Sequence, residues 1–109
     1  MANTFKTLGQ VNPSAATLTT LYTVPASTQA IVSTITVCNR SATPTTFRLS
    51  VAVAGAADND KQYRNYDTPI DGNQSIDITV GLCMQATDVL RCYATLATLS
   101  FNATGEELT

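Results

Sequence analysis

The chain has 109 residues, a formal net charge of −2, no His and no Trp. That length is one domain's worth, and the missing imidazole excludes Ser-His-Asp and Cys-His catalysis and every His-ligated metal site. A pI near 4.7 with scattered basic residues argues against nucleic acid as the main partner, and no run approaches the roughly 18 apolar residues of a membrane span.

Only 13% of residues are charged, while 44% are hydrophobic. That hydrophobic fraction is too high for a chain disordered by composition. Thr, Ala and Ser fill forty of the 109 positions, and Thr and Val favour strands over helix interiors.

Met1 to Val11 lacks a clean period and holds no apolar signal core, so residues 1–12 read as an extended arm or a short edge strand. Residues 13–109 then form the main domain. Ala16 to Val24 is a Thr-rich strand stopped by Pro25, which cannot donate to a ladder. Gln29 to Asn39 is a strong strand. Ile31, Ser33, Ile35 and Val37 share one face, with Val32, Thr34, Thr36 and Cys38 opposite. Asn39 to Pro44 is a turn. In Thr45 to Ala54, Phe47, Leu49, Val51 and Val53 alternate with Thr46, Arg48, Ser50 and Ala52, a period of two that is hard to produce from a helix.

Asp58 to Asp67 breaks the pattern as a long polar loop, with room for a short strand at Tyr63 to Tyr66. Pro69 and Asp71-Gly72-Asn73 make a turn. Ser75 to Leu82 alternates again, with Ile76, Ile78, Val80 and Leu82 on one face. Cys83 to Thr87 connects it to the strands Asp88 to Thr95 and Ala97 to Ala103, and Gly105-Glu106-Glu107 closes the chain. Seven or eight short antiparallel strands predict an all-β fold, a single β-sandwich of immunoglobulin-like or jelly-roll-like type.

The chemistry-bearing candidates are few. Cys38, Cys83 and Cys92 form no Cys-x-x-Cys pair and read as small, mostly buried thiols, with an inter-subunit disulfide as the other reading. Asp58-Asn59-Asp60 and Asp71-Gly72-Asn73 lack the offsets of a calcium loop. Asp88 is placed to cap the turn entering its strand. No catalytic, cofactor-binding or metal-ligating residue is assigned.

The distinctive polar segment is Tyr63-Arg64-Asn65-Tyr66-Asp67. Tyr and Arg are enriched at interface hot spots, so Tyr63, Arg64, Tyr66 and Asp67 are candidate contacts for a partner subunit or a glycan. The other reading is an exposed loop with its rings on the sandwich edge. A small domain leaves much of its surface in water, and here that surface must be largely uncharged. Val32, Thr34 and Thr36 are therefore further candidate contacts, because a large neutral surface invites association.

The run Leu21-Tyr22-Thr23-Val24-Pro25-Ala26, followed by Ala30 through Ser41, resembles short structural proteins of tailed bacteriophages. Phe47 to Ala52, Tyr66 to Ile70, Asp88 to Ala94 and Leu99 to Asn102 fall in the same order as in those proteins. These are strand and turn patterns, and they specify a fold family better than a task. The resemblance implies a non-enzymatic virion subunit of head, neck or tail, built in the host cytoplasm. Its partners would be copies of itself and other virion proteins, with no nucleic acid, membrane or cofactor. A module displayed on the virion to bind a host surface or glycan is the alternative.

Overall fold

The computed structural model describes residues 2–109. Eight strands form: β1 (Asn3–Val11), β2 (Thr19–Thr23), β3 (Gln29–Asn39), β4 (Thr45–Ala52), β5 (Tyr63–Ile70), β6 (Ser75–Met84), β7 (Val89–Ala94) and β8 (Leu99–Leu108). They pair as two four-stranded antiparallel sheets, ordered β1-β8-β3-β6 and β2-β7-β4-β5. Every first-half strand pairs with its mirror in the second half: β1 with β8, β2 with β7, β3 with β6 and β4 with β5. That is a long hairpin rolled into a sandwich, the jelly-roll and not the immunoglobulin arrangement.

The aliphatic faces supply the core. Phe47 of one sheet meets Phe101 of the other edge-to-face, with centroids 6.1 Å apart and ring planes at 70°. Ile35, Val37, Leu49, Ile70, Leu90 and Leu99 surround them, all buried. Each such side chain contributes roughly 1.5–3 kcal/mol by leaving water. The ring pair adds about 1 kcal/mol for its geometry. Asn39, buried at the end of β3, holds the next turn. Its Nδ2 donates to the carbonyls of Thr43 (2.9 Å) and Asp71 (3.2 Å), and its Oδ1 accepts from the Ser41 N–H at 3.1 Å.

Bulges set the shape of the first sheet. Relative to β8, β1 carries one extra residue at Leu8 and β3 one at Ser33. At the same level β6 skips Val80 and Gly81 against β3. A line of irregularity therefore crosses the sheet, which bends it. At this line the Ile31 carbonyl comes so close to Gly105 of β8 that a Cβ there would overlap it. A similar approach, of the Leu21 carbonyl to Gly9, brings the β1 and β2 edges together.

An extra residue in a strand reverses the facing of everything beyond it. Val32 is consequently fully buried and Ile31 is exposed, the opposite of the unbroken alternation expected across β3. Val32 is a core residue and not a surface contact.

Several boundaries also move. The polar segment ends in an eight-residue strand, β5, that runs through Pro69. β5 is a sheet edge, where a missing N–H leaves no ladder bond broken. Val53–Gly55 leaves β4 as a 3-10 turn. β8 continues past Ala103 through Gly105, Glu106 and Glu107, because β1 and β3 flank it and complete its hydrogen bonds.

Candidate functional site: two contrasting outer faces

No group of three His, Cys, Asp or Glu converges as a metal site among the described residues. A partly buried ionic cluster ties the sheets together. Glu107, facing inward from β8, accepts a short hydrogen bond from the Tyr22 hydroxyl of the opposite sheet and pairs with Lys6 Nζ at 3.0 Å. The tyrosine bond and the ammonium hold the Glu107 carboxyl below its ordinary range, against the effect of burial. Burial and the neighbouring carboxylate raise the Tyr22 phenol. A carboxylate too weak as a base beside a phenol that keeps its proton makes a structural clamp.

Asp88 is also structural. Its Oδ1 accepts from the Ala54 N–H at 2.8 Å and its Oδ2 from the Gln85 N–H at 3.0 Å, so it caps the turn into β7 and anchors the end of β4.

The outer face of β1-β8-β3-β6 is built in rows by its register. Above the bulge line, Thr7, Thr104, Thr34 and Thr79 form a four-strand row of threonines. The next row is Gln10, Asn102, Thr36 and Asp77, in which Gln10 Nε2 donates to Asn102 Oδ1 and Thr36 Oγ1 to Asp77 Oδ1, each at 2.7 Å. A third row holds Ser100, Cys38 and Ser75. Thr34 and Thr36 are thus outward and half-buried, with Asp77 the single charge among these rows. Below the line lies a different row: Phe5, Glu106, Ile31 and Cys83. Phe5 is 80% exposed and Ile31 40%.

The outer face of β2-β7-β4-β5 is aromatic, with an arginine at its centre. The Arg48 guanidinium lies over the Tyr66 ring at 4.1 Å and the Tyr93 ring at 4.5 Å. Its Nε and Nη2 donate to the two carboxylate oxygens of Asp67 at 2.7 and 3.4 Å. Asp67 has φ of 50° in a region where β5 bulges against β4, which turns its side chain onto Arg48. Tyr63 packs edge-on to Tyr66 at 5.1 Å, and its hydroxyl donates to Asp58 at 2.9 Å. Burial and that bond raise the Tyr63 phenol above its usual range.

Of the expected contacts, Tyr63, Tyr66 and Asp67 therefore come together. Arg64 does not join them. It borders a cleft of about 400 Å³ with Val51, Val53, Ala56, Lys61 and Gln62. Arg48 and Tyr93 complete the cluster and were not among the expected contacts. Both occupy outward positions by parity, but their meeting depends on β4 and β7 being neighbours, with Arg48 directly opposite Tyr93.

The thiols occupy three different settings. Cys92 is buried, which pushes it up to about 12, Cys38 is half-buried and Cys83 is exposed. The expectation of mostly buried thiols fails at Cys83, which lies beyond the β6 irregularity and opposite exposed Ile31.

No family model matches the chain, and no curated protein matches it. Among solved structures, two crystal structures of a pentameric capsid protein isolated from metagenomic phage sequences are similar, each at 16% identity and a TM-score of 0.42. The match covers 93% of this chain and 58% and 60% of the matched chains, so this chain spans less than two thirds of their length.

Proposed function

We propose that the chain is a non-enzymatic structural subunit of a bacteriophage virion. It assembles with copies of itself on the neck, tail or capsid surface and reinforces or extends that surface. The observation that carries this reading is the outer face of β1-β8-β3-β6. Its upper rows bear one charge, Asp77, and its lower row presents Phe5 and Ile31 to solvent. Covering a ring such as Phe5 contributes roughly 2 kcal/mol, and symmetry multiplies each contact. The order in which the strand segments resemble tailed-phage structural proteins supports the same reading. The jelly-roll is compatible with it, since such folds serve in capsids, but they serve in lectins too, so fold alone does not decide function.

The second reading, a displayed module for a host surface or glycan, draws on the Tyr63, Tyr66, Arg48 and Tyr93 cluster. Within it, however, Arg48 is already held by two rings and a carboxylate. A group so engaged is pre-organised scaffold more than an open donor.

One experiment separates the two. Particles carrying the double substitution Tyr63→Ala, Tyr66→Ala are quantified for subunit content and for host adsorption. Loss of the subunit from particles supports assembly. Complete particles that no longer adsorb support recognition and refute a purely structural role.

A further inference from the structure

The two sheets carry unlike net charge. Four of the six Lys and Arg residues, Arg48, Lys61, Arg64 and Arg91, lie on β4, β5, β7 or the turn leading into β5. Asp58, Asp60 and Asp67 stand among them, so that side carries a balance of +1, whereas the opposite sheet, with Lys6 against Asp77, Glu106 and Glu107, carries −2. Among the described residues, ion pairs form only between Lys6 and Glu107 and between Arg48 and Asp67. Glu106, Asp77, Lys61 and Arg64 are therefore without one.

Exposed apolar groups sit beside these unpaired charges. Glu106 lies between Phe5 and Ile31, its direct neighbours on β1 and β3. On the other sheet, Lys61 and Arg64 border the cleft that also presents Val51 and Val53, the latter 70% exposed. The same cleft holds Gln62, whose buried Oε1 has no hydrogen-bond partner.

We propose that copies of this chain dock head to tail, the Phe5–Glu106–Ile31 row of one copy seating on the Val51, Val53, Lys61 and Arg64 cleft of the next. The contact rests on the self-assembly reading above and names the partner surfaces for it. Apolar groups meet apolar groups, and the lone carboxylate meets the two unpaired cations. A two-fold contact through the row would instead set Glu106 near its own copy, which like-charge repulsion opposes. The two patches lie on different sheets, so the contact is heterologous and propagates into a ring or a filament. Area permits it. Two interfaces of about 800 Å² per partner take less than a third of the chain's 5655 Å².

The test is a charge exchange read by sedimentation velocity, with circular dichroism confirming the fold of each variant. Wild type assembles. Glu106→Arg and Arg64→Glu each weaken association roughly a hundredfold, because a favourable charge pair becomes a repulsive one. Mixed one to one, the two variants reassemble, since each then offers the other a complementary patch, and the double variant assembles alone. If a reversal unfolds the chain, Glu106→Gln and Arg64→Gln replace it and weaken association roughly tenfold. A wild-type assembly unmoved by the substitutions, or one lost without rescue, overturns this contact and leaves self-assembly standing. A monomeric wild type at the concentrations tested overturns both.

Discussion

Gly105 is the sharpest test of the bulged first sheet. An alanine Cβ there would overlap the Ile31 carbonyl oxygen, and would lie 3.0 Å from the Ile31 carbonyl carbon and 3.1 Å from the Ser33 nitrogen. All three obstacles are backbone atoms of β3, so no rotamer change relieves the clash. Gly105 has no left-handed φ, so the cost of Gly105→Ala is steric. Overpacking costs up to about 3 kcal/mol where the surroundings cannot yield, and this site belongs at that upper end. For a domain of this size that lowers Tm by about 12 °C, at roughly 4 °C per kcal/mol. Gly81 supplies the converse case. Its φ is +58° and nothing stands within 4 Å of an added Cβ, so Gly81→Ala costs only the conformational penalty, about 1 kcal/mol. Thermal and urea unfolding at one fixed protein concentration measure both, since assembly would make Tm concentration-dependent. A Gly105→Ala variant melting within about 2 °C of wild type, or less perturbed than Gly81→Ala, refutes the close approach at the bulge line.

Three further outcomes follow from the geometry. Glu107→Gln keeps an acceptor for Tyr22 and loses the charge facing Lys6, so it costs about 1–2 kcal/mol at pH 7. Because the folded carboxyl is held below its ordinary range, that contribution is complete above the unfolded value of about 4.3. It fades as pH falls through the folded value, so urea unfolding curves of the two proteins converge in acid and separate towards neutrality. Val32→Ala removes fully buried methyl groups and costs about 2 kcal/mol. Ile31→Ala, one position away but exposed, costs the fold less than about 0.5 kcal/mol and acts on assembly instead; equal losses of stability by urea titration would contradict the bulge at Ser33. With a thiol reagent such as Ellman's, Cys83 reacts first in the native chain, and Cys92 reacts only once denaturant opens the core.

Much of the fold is legible in the residues because buried strands repeat every second position. Phe47, Leu49 and Val51 on β4, and Ile76 and Ile78 on β6, face the core as their alternation requires. What alternation cannot carry is a phase slip. Ser33 is small and polar and breaks no pattern, yet as the extra residue in β3 it turns Val32 inward and Ile31 outward. The end of β8 was hidden for a related reason. Gly105-Glu106-Glu107 looks like a polar tail, but Gly105 is there because the bulge leaves no room for a side chain, and Glu107 because Lys6 and Tyr22 neutralise and hold it. Each of those reasons lies on another strand.

The surface follows the same logic at one remove. Low charge shows from composition alone that much of the exterior is neutral, but not where the few charges gather. Arg48, Lys61, Arg64 and Arg91 are spread over some forty positions of the chain, as are Asp77 and Glu106 over thirty. Only the rolled-hairpin pairing sorts them, sending β4, β5 and β7 to one sheet and β6 and β8 to the other. The sorting gives the molecule two sides that differ in charge, and a subunit with unlike sides can stack on its own copies in one direction. An evenly charged sandwich would have no such polarity, whatever its neutral area. The sparse charges, more than the abundant threonines, are therefore what would give an assembly of this chain its direction.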